Sequence, residues 1–187
     1  MSVQAYVTKV QTALKLRPQP DSVTCQSACI AMAIGGDIAA IRAELTSQGA
    51  AGDPANMGRV LRRRLGDRYS FNPNTSLFEA SDALKNGAFC ITHGWFTGAG
   101  HVIGLDGVEI DSKRLSYKFN VKDPWTEFDF PSWSYRSQAI GFDGYYSSYG
   151  MYAACVVGQS RNHSAQIYRR KELDSNRRGM WLHVIKP

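Results

Sequence analysis

The pattern of apolar residues changes once along this 187-residue chain, and the change limits the folds it can adopt. Up to residue 87, apolar and small residues recur at helical spacing between residues that cap and end helices. This predicts helices over 24–34, 38–47, 54–65 and 76–86. From residue 88, apolar segments between glycine-rich turns predict strands over 88–93, 101–105, 115–121, 151–157 and 180–185. Helices followed by strands are typical of an α+β domain.

Two further segments have weaker patterns. Val3, Tyr6, Val10 and Leu14 lie close to helical spacing, which predicts a short amphipathic helix over 2–15. Residues 126–150 are rich in aromatic residues, glycine and serine, and we expect mostly ordered loop there.

The composition is that of a globular protein, with 43% hydrophobic and 20% charged residues. No run approaches the roughly 20 apolar residues of a membrane helix. The first 15 residues lack the apolar core of a signal peptide, which predicts synthesis and folding in a cytoplasm.

Most of the net charge of +6 lies near the C-terminus. Residues 159–187 carry seven basic and two acidic residues, so we predict a domain over 1–158 and a basic C-terminal extension over 159–187 that packs on it. A second basic cluster comprises Arg59, Arg62, Arg63, Arg64 and Arg68. For both clusters, a solvated face is the favoured interpretation. Since no base-reading motif accompanies them, nucleic acid is not an expected partner.

The four cysteines are Cys25, Cys29, Cys90 and Cys155. Without a secretory signal, a disulfide framework is not expected. Their spacing also lacks the paired short repeats of zinc sites, so we predict no metal and no cofactor.

Three residues together indicate nucleophilic catalysis. Cys25 opens a buried helix just after a proline-rich turn, and a helix N-terminus favours a thiolate. His101 starts an apolar strand, and Asp123 ends the next one, where it could orient the imidazole. Nucleophile, base and orienting acid in this order form a Cys-His-Asp arrangement.

Other residues have candidate roles around these three. The Gln19 amide could donate a hydrogen bond to an oxyanion, alongside the backbone N–H of Cys25. Gln26, His93, Trp95 and Trp125 are candidate substrate contacts, although a structural role for His93 and core packing for the tryptophans are the alternatives. His93, His163 and His183 are competing bases.

Several of these segments resemble a known family. Gln19-x5-Cys25 with TCQSACIAMAIGG, GHVIGLDG over 100–107 and NVKDPW over 120–125 are similar to the active-site segments of C39-like peptidases, in the papain-like superfamily. The resemblance covers residues 15–130. It implies Cys25 as nucleophile, His101 as base, Asp123 as orienting acid and Gln19 as oxyanion donor. It also implies a papain-like α+β fold, in which a helical lobe with the cysteine packs on an antiparallel sheet with the histidine and aspartate.

The expected activity is therefore hydrolysis of a peptide or amide bond through an acyl-enzyme. The leading hypothesis for the substrate is bacterial cell-wall peptide, as for a phage-type endolysin, with the basic tail held on an anionic envelope. The alternatives are a cytoplasmic protein-directed peptidase and a catalytically silent C39-like binding module. Gln26, where many relatives have glycine, is a departure from the family pattern.

Overall fold

The computed structural model describes residues 7–11, 14–111, 116–136 and 140–187. The predicted N-terminal helix therefore lies partly outside the described residues, as does the first residue of the strand predicted over 115–121. The side chains of the first strand are likewise undescribed.

One antiparallel sheet forms the centre of the described chain. Its strands are β1 (Val7–Gln11), β2 (Tyr69–Ser76), β3 (Phe89–Gly94), β4 (His101–Asp111), β5 (Ser116–Asp123), β8 (Phe142–Ser147) and β9 (Arg178–Ile185). The strand order is β2-β9-β3-β4-β5-β8, and β1 pairs with the second half of β4. A short hairpin of β6 (Phe128–Asp129) and β7 (Ser134–Tyr135) lies outside this sheet.

The helices begin and end close to the predicted positions. They are α1 (Cys25–Ile34), α2 (Ile38–Thr46), α3 (Pro54–Leu65), α4 (Leu77–Lys85), α5 (Ser148–Met151) and α6 (Arg161–Arg170). Asp37 and Asp53 cap α2 and α3, and Ser76 forms a capping box with Glu79 at the start of α4. The four predicted helices are confirmed, and α2, α3 and α4 each begin after a residue whose side chain caps the helix.

The sheet separates two apolar cores. Helices α1, α2 and α3 pack on one face, where Cys29 and Ile30 meet Ile91 and Val102. Helix α4 covers the other face, where Ile103 is buried. Because successive strand residues point to opposite faces, Val102 and Ile103 belong to different cores. The α+β architecture is confirmed, with the helix that begins at Cys25 packed on the antiparallel sheet.

Three predictions for secondary structure are corrected. Residues 7–11 form a strand and not a helix, because this segment pairs with β4 over Gly107 to Asp111. Residues 151–156 are helical and not a strand, comprising the end of α5 and a π-helical turn over Tyr152–Val156. This segment is apolar on all sides because it is buried, and such a run does not distinguish strand from helix. Residues 126–150 contain the β6–β7 hairpin and β8 rather than mostly loop.

The predicted strand over 180–185 is confirmed as β9, and its position was not predicted. It pairs with β2 on one side and β3 on the other, so it is an interior strand of the sheet. Among the described residues, no helix is both long enough and apolar enough to cross a bilayer.

Candidate active site

The nucleophile candidate lies at the first position of α1. Before it, the Asp21 carboxylate accepts hydrogen bonds from the Val23 backbone N–H and the Thr24 hydroxyl, both at 2.9 Å. This turn ends the proline-rich segment and directs the chain into the helix. Cys25 therefore has a backbone N–H without an intrahelical acceptor and lies at the positive end of the helix dipole. Its side chain is partly exposed, whereas Cys29, Cys90 and Cys155 are buried.

His101 and Asp123 are brought together by neighbouring antiparallel strands. His101 is the first residue of β4 and Asp123 is the last of β5, so both lie at the same end of this strand pair. His101 Nε2 is 2.8 Å from Asp123 Oδ1. The other ring nitrogen is left for the Cys25 thiol, with which His101 shares a side-chain hydrogen bond. The structure thus places the three predicted residues in one hydrogen-bonded row.

Two tyrosines that were not predicted for the site complete the surroundings of Asp123. Its Oδ1 also accepts from the Trp125 backbone N–H at 2.9 Å. Its Oδ2 accepts from the Tyr135 and Tyr146 hydroxyls, at 3.0 and 2.9 Å. Every acceptor position of this buried carboxylate is therefore occupied. The aromatic composition of 126–150 was the available signal, but it did not show which tyrosines would reach Asp123.

The electrostatics of the row favour a thiolate–imidazolium pair. Burial alone would raise the pKa of the Cys25 thiol, but the hydrogen bond and positive charge of His101 lower it below the ordinary value. Burial alone would lower the pKa of His101, but the Asp123 carboxylate and the Cys25 sulfur raise it to about 10. The proton of the thiol is therefore stabilised on the imidazole.

The competing bases have the opposite character. Burial lowers the pKa of His93 to about 4, with a further contribution from the charge of His101. Burial also lowers the pKa of His183 to about 3. This residue lies in β9, where its Nδ1 is 2.7 Å from the hydroxyl of Tyr69 in β2. Both imidazoles are neutral at neutral pH. His163 lies in the first turn of α6, among the partly buried residues.

Gln19 is buried and connects the loop before α1 to the strand with Asp123. Its backbone N–H donates to the Pro124 carbonyl at 2.8 Å, and its side-chain amide donates to the Asp21 carbonyl. An amide nitrogen has two hydrogens, so one remains for a second acceptor. Gln19 also lines the cavity beside Cys25, where that acceptor would lie.

A cavity of about 330 Å³ opens beside the cysteine. Its lining residues are Gln19, Ser22, Cys25, Thr97, Ala99, Gly100, His101, Trp125 and Tyr135. Apart from the Cys25–His101 pair, the lining side chains carry no formal charge. The cavity is therefore suited to a neutral part of a substrate.

The four candidate substrate contacts are not all placed at this cavity. Trp125 lines it, whereas Gln26, His93 and Trp95 do not. Gln26 is buried, and its Oε1 lies 3.2 Å from the Cys25 sulfur. His93 stacks on Trp181 at 5.9 Å between ring centroids, and Trp95 contacts the edge of His93. In the described part of the chain, no cluster of three or more histidine, cysteine or acidic side chains is arranged to hold a metal ion.

Comparisons with known proteins give likenesses of structure only. No family model and no curated protein sequence matches the chain. One similar solved structure is a double glycine motif protease from an AMS/PCAT transporter in complex with its leader peptide. It has a TM-score of 0.45 at 16% identity, over 76% of this chain and 87% of that chain. Another, from Bacillus anthracis, bears the name of C39-like peptidase, with a TM-score of 0.49 at 12% identity, over 96% of this chain and 98% of that chain. The name of the Bacillus anthracis protein is that of the family whose motifs the sequence resembles. Neither likeness assigns an activity to this chain.

Proposed function

We propose that the protein is a cysteine peptidase that uses Cys25 as nucleophile, His101 as general acid and base, and Asp123 as orienting acid. The observation that carries the proposal is the hydrogen-bonded row itself. In this row the pKa of the thiol is lowered and the pKa of the imidazole is raised, whereas burial lowers the pKa values of His93 and His183. An activated thiolate at a helix N-terminus, next to an open cavity, is the arrangement that acyl transfer requires.

The reaction would proceed in two halves. The Cys25 thiolate attacks the carbonyl carbon of the scissile amide, and the developing oxyanion accepts hydrogen bonds from the Cys25 backbone N–H and the free hydrogen of the Gln19 amide. His101 then donates its proton to the leaving amine, which leaves an acyl-enzyme. Water attacks the acyl-enzyme with neutral His101 as the base, and the thiolate is restored. Asp123 holds the imidazole in the orientation that both halves require.

For the substrate, we propose a peptide of the bacterial cell wall, cut by an endolysin-type endopeptidase. The resemblance of residues 15–130 to C39-like peptidases supports a peptide or amide bond. The exposed basic residues over 159–187, among them Arg169, Lys171 and Arg177, would be attracted to an anionic envelope.

The test is incubation of purified murein and muropeptides with the wild-type protein and with Cys25→Ala, followed by mass spectrometry of the released fragments. We expect new amine and carboxyl termini with the wild type and none with the variant. Walls of different cross-link chemistry should be included, since the bond cleaved is unknown. Absence of fragments from every wall type, with cleavage of other peptides, would exclude the cell-wall substrate but leave the peptidase.

A further inference from the structure

The hydroxyls of Tyr135 and Tyr146 both donate to the same oxygen of Asp123, and we name these two residues the tyrosine pair. Burial, and after it the Asp123 charge, raises the pKa of each phenol well above its usual range. Both hydroxyls therefore stay protonated and act as donors to Asp123 at neutral pH. Without such donors, the carboxylate would be freer to rotate.

Tyr135 also contacts His101, the residue that Asp123 orients. Its ring meets the His101 ring edge-on, with 5.4 Å between centroids, and the same side chain lines the cavity next to Cys25. Both rings line the cavity, so Tyr135 packs beside the imidazole at the site. Its hydroxyl and its ring act on different groups, since the hydroxyl donates to Asp123 and the ring contacts His101.

The hairpin that carries Tyr135 is fixed by groups far along the chain. Trp133 is buried, and its indole N–H donates to the Trp95 carbonyl at 3.2 Å. Arg161, in the first turn of α6, donates to the Trp133 carbonyl at 2.8 Å. Trp133 has a positive φ of 51°, a conformation that a bulky residue adopts only where its surroundings hold it. The Trp95 carbonyl and the Arg161 side chain thus hold Trp133 in place, and Trp133 belongs to the same hairpin as Tyr135.

We infer that the tyrosine pair are positioning residues, which lock the Asp123 carboxylate against His101 and so maintain the thiolate–imidazolium pair. This inference rests on the proposed function, because it concerns the same catalytic row. Without the Tyr135 hydroxyl, Oδ2 loses one of its two donors, and water can compete for the carboxylate. A hydrated, mobile carboxylate stabilises the imidazolium less, so the pKa of His101 should fall and that of Cys25 should rise.

The test is the pH dependence of Cys25 alkylation by iodoacetamide in the full chain, measured for wild type, Tyr135→Phe, Tyr146→Phe and the double variant. The other three cysteines are buried, so the rate reports Cys25, and Cys25→Ala gives the baseline. We expect the pH at which the alkylation rate is half-maximal, which reports the pKa of Cys25, to rise by roughly one unit in Tyr135→Phe and further in the double variant. Tyr135→Leu, which also removes the ring, should raise this pH more than Tyr135→Phe.

Tyr117→Phe is the matched control. It removes a hydroxyl that is hydrogen-bonded to Ser175 at 2.6 Å and lies outside the site. Its pH profile should equal that of the wild type. Circular dichroism of each variant shows whether it is folded, and only folded variants are compared.

Two outcomes have different meanings. If Cys25 of the wild type titrates as an ordinary thiol, the proposed function fails. If the wild type shows the low-pKa thiolate but the pH of half-maximal alkylation in folded Tyr135→Phe is unchanged or lower, the tyrosine pair is structural and the inference is wrong, while the proposed function stands.

Discussion

At the scale of the residue, the site depends on one proton shared between Cys25 and His101. The thiol has a lowered pKa and the imidazole has a pKa of about 10, so the ion pair exists between these two values. Below the lower value the sulfur is protonated, and above about 10 the imidazole has lost the proton that the leaving amine needs. We expect peptidase activity to rise through the lowered pKa of Cys25 and to fall as the pH passes about 10.

The measurement is kcat/KM against pH for any substrate that the wall or peptide screens identify. Asp123→Asn should move the alkaline limit to lower pH, because the charge that raises the pKa of His101 is removed. A profile of Asp123→Asn that coincides with the wild-type profile would contradict the role of Asp123. Lys85→Met, which alters an exposed ion pair with Asp82, serves as the control.

Gly100 gives a second prediction at this scale. Gly100 lies in the loop that precedes His101, and its φ is +78°. A Cβ at residue 100 would lie 1.9 Å from Nε2 of His93. We expect Gly100→Ala to lower the free energy of unfolding by about 2 kcal/mol or more, since backbone strain and a clash add. Urea denaturation measures this. Gly98→Ala is the matched control, because a Cβ at residue 98 meets nothing within 4 Å. Equal stability of the two variants would show that the loop adapts freely.

At the scale of the element, β5 carries two lysines whose ion pairs differ in burial. Lys122 is buried and lies 3.0 Å from Asp106 and 2.7 Å from Asp143, whereas Lys118 is exposed and lies 3.2 Å from Glu109. Removal of the lysine from a buried pair takes away the positive charge that balances the carboxylate, which costs about 3–5 kcal/mol. An exposed pair contributes about 0.2–1 kcal/mol.

We therefore expect Lys122→Met to lower the free energy of unfolding several times more than Lys118→Met does, as measured by urea denaturation. Both changes remove one lysine from the same strand, so the comparison isolates burial. Similar losses for the two variants would show that water reaches Asp106 easily. The alkylation rate of Cys25 should be less affected than stability, since Lys122 and Asp123 point to opposite faces of β5.

The elements also show what the sequence could predict. Helices α1 to α4 were predictable because each has its own capping or stop residues, such as Asp53 and Gly66. Strand β1 was mistaken for a helix because its register depends on β4, a partner about 100 residues away that local periodicity does not show. The order of Cys25, His101 and Asp123 predicted which residues would meet, but the contact of Tyr135 with Asp123 depends on a hairpin whose anchors are distant in sequence.

At the scale of the whole molecule, residues 159–187 combine a basic surface with part of the core. Ile167 and Leu182 are buried, while Arg169, Lys171 and Arg177 are exposed. A truncation after Gly158 removes β9 from between β2 and β3, so we expect the shortened chain to lack a cooperative unfolding transition. Because the truncated chain would not fold, it cannot test the role of the basic residues over 159–187.

The role of the basic surface is tested instead in the full chain, with one triple variant that combines Arg169→Gln, Lys171→Gln and Arg177→Gln. We expect unchanged cleavage of soluble peptide and several-fold weaker binding to anionic envelopes at low salt, with the difference decreasing as salt is added. The control is Arg59→Gln, Arg63→Gln and Arg64→Gln, which removes three charges from α3. Equal loss of binding in both variants would indicate that net charge matters and that the position of the tail does not.

The position of β9 has a consequence for the timing of biosynthesis. Strands β2 and β3 are made early, but the strand that joins them is the last element of the described chain, so the ribosome must synthesise 178–185 before the sheet can close. Until then, within the described part of the chain, β2 has no partner in the sheet and β3 has one open edge. Contacts between such distant segments form slowly. The row of Cys25, His101 and Asp123 therefore rests on a sheet that cannot be complete until residues 178–185 have been synthesised, well after the strands that carry His101 and Asp123.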